Sequence, residues 1–296
     1  MDRVRQAVHA EEAVRRGLSG KGVTVAVLDT GLSPGPDFYG RIVKFMDLVN
    51  GRKACYDDSS HGTHVCGILG GSGKLSRGRY AGIAPGCLFV PVKVLDRDGG
   101  GAFADVRKGI WWVIENRKRY KIRILNLSVG TVREEKEEGD EAEEALILEA
   151  AEAAWDAGIV VVAASGNKGP ADKSITVPGS SRKVITVGAY DDCGKICYSG
   201  RGPTRECICK PDLCAPGSGI LSAAPLGAGR GMVYQRKSGT SMAAPVVSGA
   251  AALLLEKYPD LTNVEVKIRM KESAEDLGLP KNWQGWGRIH IGRLTR

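Results

Sequence analysis

Three segments carry side chains that could together turn a hydroxyl into a nucleophile. Ser241 lies in Gly239-Thr240-Ser241-Met242-Ala243-Ala244-Pro245, a turn of small residues that feeds the apolar helical stretch Val246 to Leu255. A serine so placed points a bare hydroxyl outward from a helix start. Such a hydroxyl is a poor nucleophile near neutral pH, so it needs a base to take its proton and a third group to orient that base. His61 opens His61-Gly62-Thr63-His64-Val65-Cys66-Gly67 at the head of a second helical stretch, and Asp29 ends the apolar run Val23 to Leu28, just before Thr30-Gly31. Singly, each has a plain alternative: a serine in a Gly-Thr-Ser turn is ordinarily a helix cap, and an aspartate after a strand a turn former. Together they supply nucleophile, base and orienting acid.

These residues are far apart in sequence, so the elements between them must fold back on one another. Apolar runs of strand length alternate with helical patterns: Val23 to Leu28, the His61 helix, Leu88 to Leu95, Val106 to Asn116, Ile122 to Leu127, and Ala142 to Trp155. Ile159 to Ala163 and Val184 to Val187 follow, then the Ser241 helix and a last helix from Asn263 to Glu272. Near-continuous apolar strands between helices predict a parallel sheet covered on both faces. The expected fold is α/β: a doubly wound, mainly parallel sheet sandwiched between helices, with its site at the carboxyl ends of the strands. With 296 residues and no evident linker, the chain reads as one domain, 1–296, in which residues 1–19 form an N-terminal lead and no separate propeptide domain is expected.

The chain order Asp, His, Ser separates this set from the chymotrypsin-like order His, Asp, Ser and the α/β-hydrolase order Ser, acid, His. It fits the subtilisin order. On these motifs the sequence, from about Gly20 to Gly292, resembles the subtilase family of serine endopeptidases. The resemblance implies peptide-bond hydrolysis through an acyl-enzyme on Ser241, with Asp29 and His61 completing the triad. It also implies that Asn167, in Ala163-Ala164-Ser165-Gly166-Asn167, is the side-chain donor of an oxyanion hole, with the Ser241 backbone N–H as the second donor. An amine in place of water would make the same acyl-enzyme a peptide ligase or cyclase. A catalytically silent binding module is the remaining alternative, and the presence of all four residues argues against it.

Substrate contacts also come from the resemblance. It implies two extended walls, Gly99-Gly100-Gly101 and Ser128-Val129-Gly130, that pair with the peptide as added strands, and glycine suits so close an approach. Leu95, Phe103, Val106 and Val129 match an apolar pocket, although core packing explains these four equally well. The S1 pocket would lie between Ser128-Val129-Gly130 and Ala163-Ala164-Ser165, with Lys168 on its rim and Thr176 at its base, a combination expected to favour small and medium P1 residues. The loop from Gly70 to Gly82 falls where secreted relatives bind calcium, yet it carries Lys74, Arg77 and Arg79 and no acid. Asp37 is the single matching carboxylate, and a hard cation needs several oxygen ligands, so calcium of that type is expected to be absent. No cofactor enters the chemistry. Together with Arg201-Gly202-Pro203-Thr204 and Lys210-Pro211-Asp212-Leu213-Cys214-Ala215-Pro216-Gly217, the loop makes the pattern similar to intracellular-type bacterial subtilases.

Eight cysteines scattered through apolar stretches suit a reducing compartment. With no secretory signal at Met1 to Gln6, a cytoplasmic location is the expectation, and release from the cell or removal of an earlier leader is the alternative. The cluster from Cys193 to Cys214, which includes Cys197, Cys207 and Cys209, lacks the paired C-x2-C spacing of structural zinc sites, so reduced thiols are preferred over zinc. Lysine and arginine total 42 against 34 acids, a net charge of +8. No basic run interleaved with aromatics points to nucleic acid, and no apolar run is long enough to span a bilayer. Glu134 to Glu144 reads as an acidic surface loop and helix N-terminal turn. Protein or peptide substrates are thus the expected partners, with neither nucleic acid nor membrane, and the sequence sets no oligomeric state.

Overall fold

The apolar, largely β-branched runs form the centre of the molecule. The structure, a computed structural model, describes residues 1–129, 139–190, 198–226 and 233–296. Gly130, Cys193, Cys197 and residues 134–138 of the acidic block lie outside the described residues. The strands are β1 (Thr24–Asp29), β2 (Met46–Asp47), β3 (Leu88–Lys93), β4 (Ile122–Leu127), β5 (Val160–Ala164), β6 (Ile185–Tyr190), β7 (Leu213–Pro216), β8 (Ile220–Ala223) and β9 (Tyr234–Lys237). The first seven form one sheet in the order β2-β3-β1-β4-β5-β6-β7, and all its pairs are parallel. The order reverses around β1, so a crevice opens beyond its carboxyl end, where Asp29 stands. An antiparallel pair, β8 and β9, makes a separate small sheet.

The helices are α1 (Asp2–Ala7), α2 (Ala10–Arg15), α3 (His61–Gly70), α4 (Phe103–Asn116), α5 (Asp140–Asp156), α6 (Thr240–Lys257), α7 (Asn263–Ser273), α8 (Lys281–Gln284) and α9 (Ile291–Leu294). They form two main pairs, α3 with α6 and α4 with α5. Strand β1 touches members of both pairs and is buried at all six residues, so one pair covers each face. This is the sandwiched parallel sheet expected from the alternating pattern.

Helix α6 is apolar nearly all round and is buried from Met242 to Leu255, packed on β4, β5, β6 and β7. A helix of that kind belongs inside a protein. It carries the Ser241 turn on a rigid, fully enclosed rod. Helix α5 begins at Asp140 with acids in its first turn, where carboxylates favour the helix dipole. Residues 1–19 are more than a lead: Val4, Val8, Ala10 and Ala13 are buried, and α2 packs on α9 near the other end of the chain. Among the described residues no helix is long and apolar enough to cross a membrane.

Candidate active site

Strand β1 ends in the sheet crevice with Asp29 1% exposed. One of its carboxylate oxygens, Oδ1, accepts the Thr30 N–H at 2.7 Å and meets His61 Nδ1, also at 2.7 Å. The other, Oδ2, has no hydrogen-bond partner among the described residues. This contact needs the His61 turn to press on the end of β1, and Gly62 permits it: a Cβ there would lie 2.1 Å from the Gly31 carbonyl oxygen.

A second carboxylate fixes that turn. Asp57 accepts the backbone N–H groups of Ser59, Ser60 and Thr63 and the hydroxyls of Thr30 and Thr63, at 2.6–3.0 Å. Burial works against its charge, but these hydrogen bonds outweigh it and hold its pKa below the usual carboxylate value. Thr30 in turn accepts Gly62 N–H at 2.9 Å, so the strand end and the helix start share one network. Lys93, wholly buried at the end of β3, donates to the Thr30 carbonyl, the Leu95 carbonyl and Asp58 at 2.7–2.8 Å. It therefore ties the Asp29 turn to the start of the glycine-rich wall.

The imidazole of His61 is 26% exposed. Burial disfavours its cationic form, whereas the charge and hydrogen bond of Asp29 favour it; the balance raises its pKa above the ordinary 6.5. Lys237 acts in the opposite sense. His64, one turn further along α3, is fully buried, and burial pushes its pKa down to about 3. It stays neutral, and its Nε2 faces the carbonyls of Ile220 and Gln235 at 3.0 and 3.1 Å.

Ser241 sits in the first turn of α6. An ordinary helix would send the residue 245 N–H back to the Ser241 carbonyl, but Pro245 has no N–H. That carbonyl instead accepts the Ser128 hydroxyl at 3.1 Å, and the Ser241 hydroxyl donates to the Ser128 carbonyl, also at 3.1 Å. Asn126 bridges Ser128 and Ser248 at 2.8 Å on either side, which locks β4 to α6. No hydrogen bond joins Ser241 to His61 in this conformation among the described residues; both line the same cleft of about 340 Å³.

Asn167 lines that cleft as well. Its Oδ1 accepts the Thr240 N–H at 2.9 Å and the Thr240 hydroxyl at 3.1 Å, which leaves the Nδ2 donor for the cleft. Gly239 precedes α6 with φ +147°, a conformation that favours glycine. Asn167 Nδ2 and the Ser241 backbone nitrogen are close to one another, both within 4 Å of the point a Cβ on Gly239 would occupy.

The expected substrate walls are brought together in part. Gly99, Gly100, Gly101, Ser128, Val129 and Ala164 line the cleft, as do Leu95, Phe103 and Val106. Ala163 and Ser165 are fully buried behind it. Lys168 is exposed beyond it. Thr176 is 7% exposed, and its side chain packs against the face of Gly166, which lines the cleft; its Oγ1 has no partner among the described residues. The residues of that turn that form the wall itself are Val177 and Pro178.

Several site residues escaped the sequence reading. Asp57 carries a weak signal, an acid four residues before the histidine. Lys93 carries another, a charge closing an otherwise apolar strand. Lys237 and Ile147 line the cleft without any local signal.

Asp37 is 3% exposed, and its carboxylate is met by donors: Tyr234 hydroxyl at 2.8 Å, Leu75 N–H at 3.2 Å and Ser72 hydroxyl at 3.5 Å. In the cysteine cluster, Cys207 and Cys209 are exposed while Cys214 is buried in β7, and burial pushes its thiol up to about 12.

The parallel α/β sheet opens on a cleft that holds a serine at a helix start and a histidine on a buried acid. Residues 20–287 match the subtilase family, peptidase S8, and the chain belongs to it. It is 42% identical to the serine protease AprX of Bacillus subtilis strain 168 over 93% of this chain and 66% of AprX, so it spans about two thirds of that relative. It is 35% identical to subtilisin BL of Lederbergia lenta, over 98% of this chain and 96% of that protein. The thermostable alkaline protease of Halalkalibacterium halodurans is also 35% identical, over 98% of this chain and 72% of its own length.

Proposed function

We propose that the chain is an endopeptidase that cleaves flexible protein segments through a Ser241 acyl-enzyme. The observation that carries this reading is the 2.7 Å contact of His61 Nδ1 with the buried Asp29, in a cleft that also presents Ser241 at the start of α6. Asp29 accepts a hydrogen bond from Nδ1–H and so leaves Nε2 as the base. The Ser241 hydroxyl turns from the Ser128 carbonyl toward that nitrogen, gives up its proton and attacks the peptide carbonyl. Asn167 Nδ2 and the Ser241 N–H receive the oxyanion. His61 then protonates the departing amine, and water, activated by the same imidazole, releases the acyl group.

Neither zinc nor calcium enters these steps. The donors around Asp37 support a loop that holds without calcium, and the raised pKa of Cys214 supports reduced thiols.

Digestion of a mixed peptide library, with mass spectrometry of the products, tests the reading. Internal cuts that persist after exhaustive chelation are expected. Products joined by new peptide bonds would instead indicate a ligase, and zinc-restored activity would assign a metal to the cysteine cluster. Because His61 must be neutral to act, kcat/KM should rise with pH through a pKa above 6.5. A maximum in the acid range would contradict the base.

A further inference from the structure

Within this peptidase reading the amine leaves on the His61 side, because His61 supplies its proton. Side chains set against His61 therefore face the part of the substrate that follows the cleaved bond. Strand β9 is held to the His61 helix at several points. His64 Nε2 meets the carbonyls of Ile220 on β8 and Gln235 on β9, and the Gln235 side chain reaches the Ser60 carbonyl at 3.4 Å. Gln235 and Lys237 are two apart on a strand and so share a face. Lys237 is half-buried and lines the cleft with Ser59 and His61.

Its ammonium group makes no hydrogen bond or ion pair among the described residues. The nearby carboxylates are committed elsewhere, Asp29 to His61 and Thr30, and Asp57 to the turn before α3. Arg236, on the opposite face of β9, donates to the Gly219 carbonyl. Asp98 is the other charged residue besides the triad histidine on the described lining, and it adjoins the wall Gly99 to Gly101. The cleft thus has an acid beside its glycine wall and an uncommitted cation beside the proton donor.

We propose that Lys237 forms a cationic subsite on the leaving-group side that selects an acidic side chain within the first two residues after the cleaved bond. A half-buried cation beside low-dielectric walls is screened less than one on open surface, so the pairing gains from the cleft.

The test uses fluorogenic peptides that differ only by Glu, Gln or Lys at the first or second position after the bond, with kcat/KM measured for the whole chain. At low salt Glu should exceed Lys by about 2- to 30-fold at one of these positions, since the swap replaces one attraction by one repulsion. The ratio should narrow at about 1 M salt, where the screening length falls to about 3 Å. Lys237→Gln should flatten it and Lys237→Glu should reverse it. A second readout is the His61 titration. His61 faces Asp29, Asp57 and Lys237, so removing the cation in Lys237→Gln should move the acidic limb of kcat/KM to higher pH. Equal rates for Glu and Lys in the parent, or a preference that Lys237→Gln leaves unchanged, overturns the subsite while the peptidase reading stands. Hydrolysis of none of the peptides overturns both.

Discussion

The two parts of the cleft are built by different means. Around Asp29, His61 and Ser241 the supporting side chains are tied by hydrogen bonds: Asp57 gathers five donors, Lys93 three acceptors, and Asn126 and Ser128 bind α6 to β4. Along the substrate walls the contacts are glycine backbone and apolar side chains: Gly99 to Gly101, Leu95, Phe103, Val106, Val129 and Ile147. Proton transfer tolerates little displacement, so the turns that carry the candidate reacting groups are fixed by hydrogen-bond networks. Peptide recognition through backbone pairing needs shape and free backbone groups, and many side chains can supply the shape. Changes at the catalytic part should therefore cost orders of magnitude in rate, and changes along the walls should redistribute substrates.

The largest effect is expected from Asp29→Asn, which keeps the shape of the acid but removes its charge and favours the wrong imidazole tautomer. A loss of about 10⁴-fold in kcat is expected, with the fold intact by circular dichroism. Asn167→Ala should cost about 10²- to 10³-fold in kcat with little change in KM, the loss typical of removing this donor from a subtilisin. A loss confined to KM would make Asn167 a ground-state contact instead.

Along the walls, Thr176→Gly should widen the space behind Gly166. It should raise kcat/KM for Phe or Tyr at P1 by about 10- to 200-fold relative to Ala, in a P1 peptide series. A parent enzyme that already prefers Phe would place the limit of the pocket at Val177 and Pro178. Smallest of all, Lys168→Glu should raise P1 Lys over P1 Glu by about two- to several-fold at low salt, because an exposed charge pair is worth little, and the change should vanish at high salt.

The same contrast explains what could be read in advance. The candidate reacting residues could be singled out because nucleophile, base and acid each demand a specific residue type and because the apolar strands leading to Asp29 and Asn167 are continuous; the structure sets Asp29 on His61 and lines one cleft with His61, Asn167 and Ser241. Strand and helix identities followed from periodicity, with boundaries shifted slightly: the run from Leu88 to Leu95 ends as strand at Lys93, and the helix read from Val106 begins at Phe103. Strand β2 has two residues and no pattern to detect. Strand β9, Tyr-Gln-Arg-Lys, is too polar to stand out, and only its pairing with β8 and the buried His64 reveals its place. Helix α2, on which α1 packs, was hidden because its partner α9 lies more than 270 residues away in the chain. Lys237 and the packing of Thr176 behind Gly166 depend on such long-range contacts, which no local pattern encodes.

The most direct test of the triad is reaction of the whole chain with a fluorophosphonate, read by intact mass and peptide mapping. The expected result is one adduct per chain on Ser241, formed faster as pH rises through the raised His61 pKa and strongly slowed in Asp29→Asn. Peptide hydrolysis that persists with Ser241 unlabelled, or an adduct on a different residue, would contradict the assignment of Ser241 as the nucleophile.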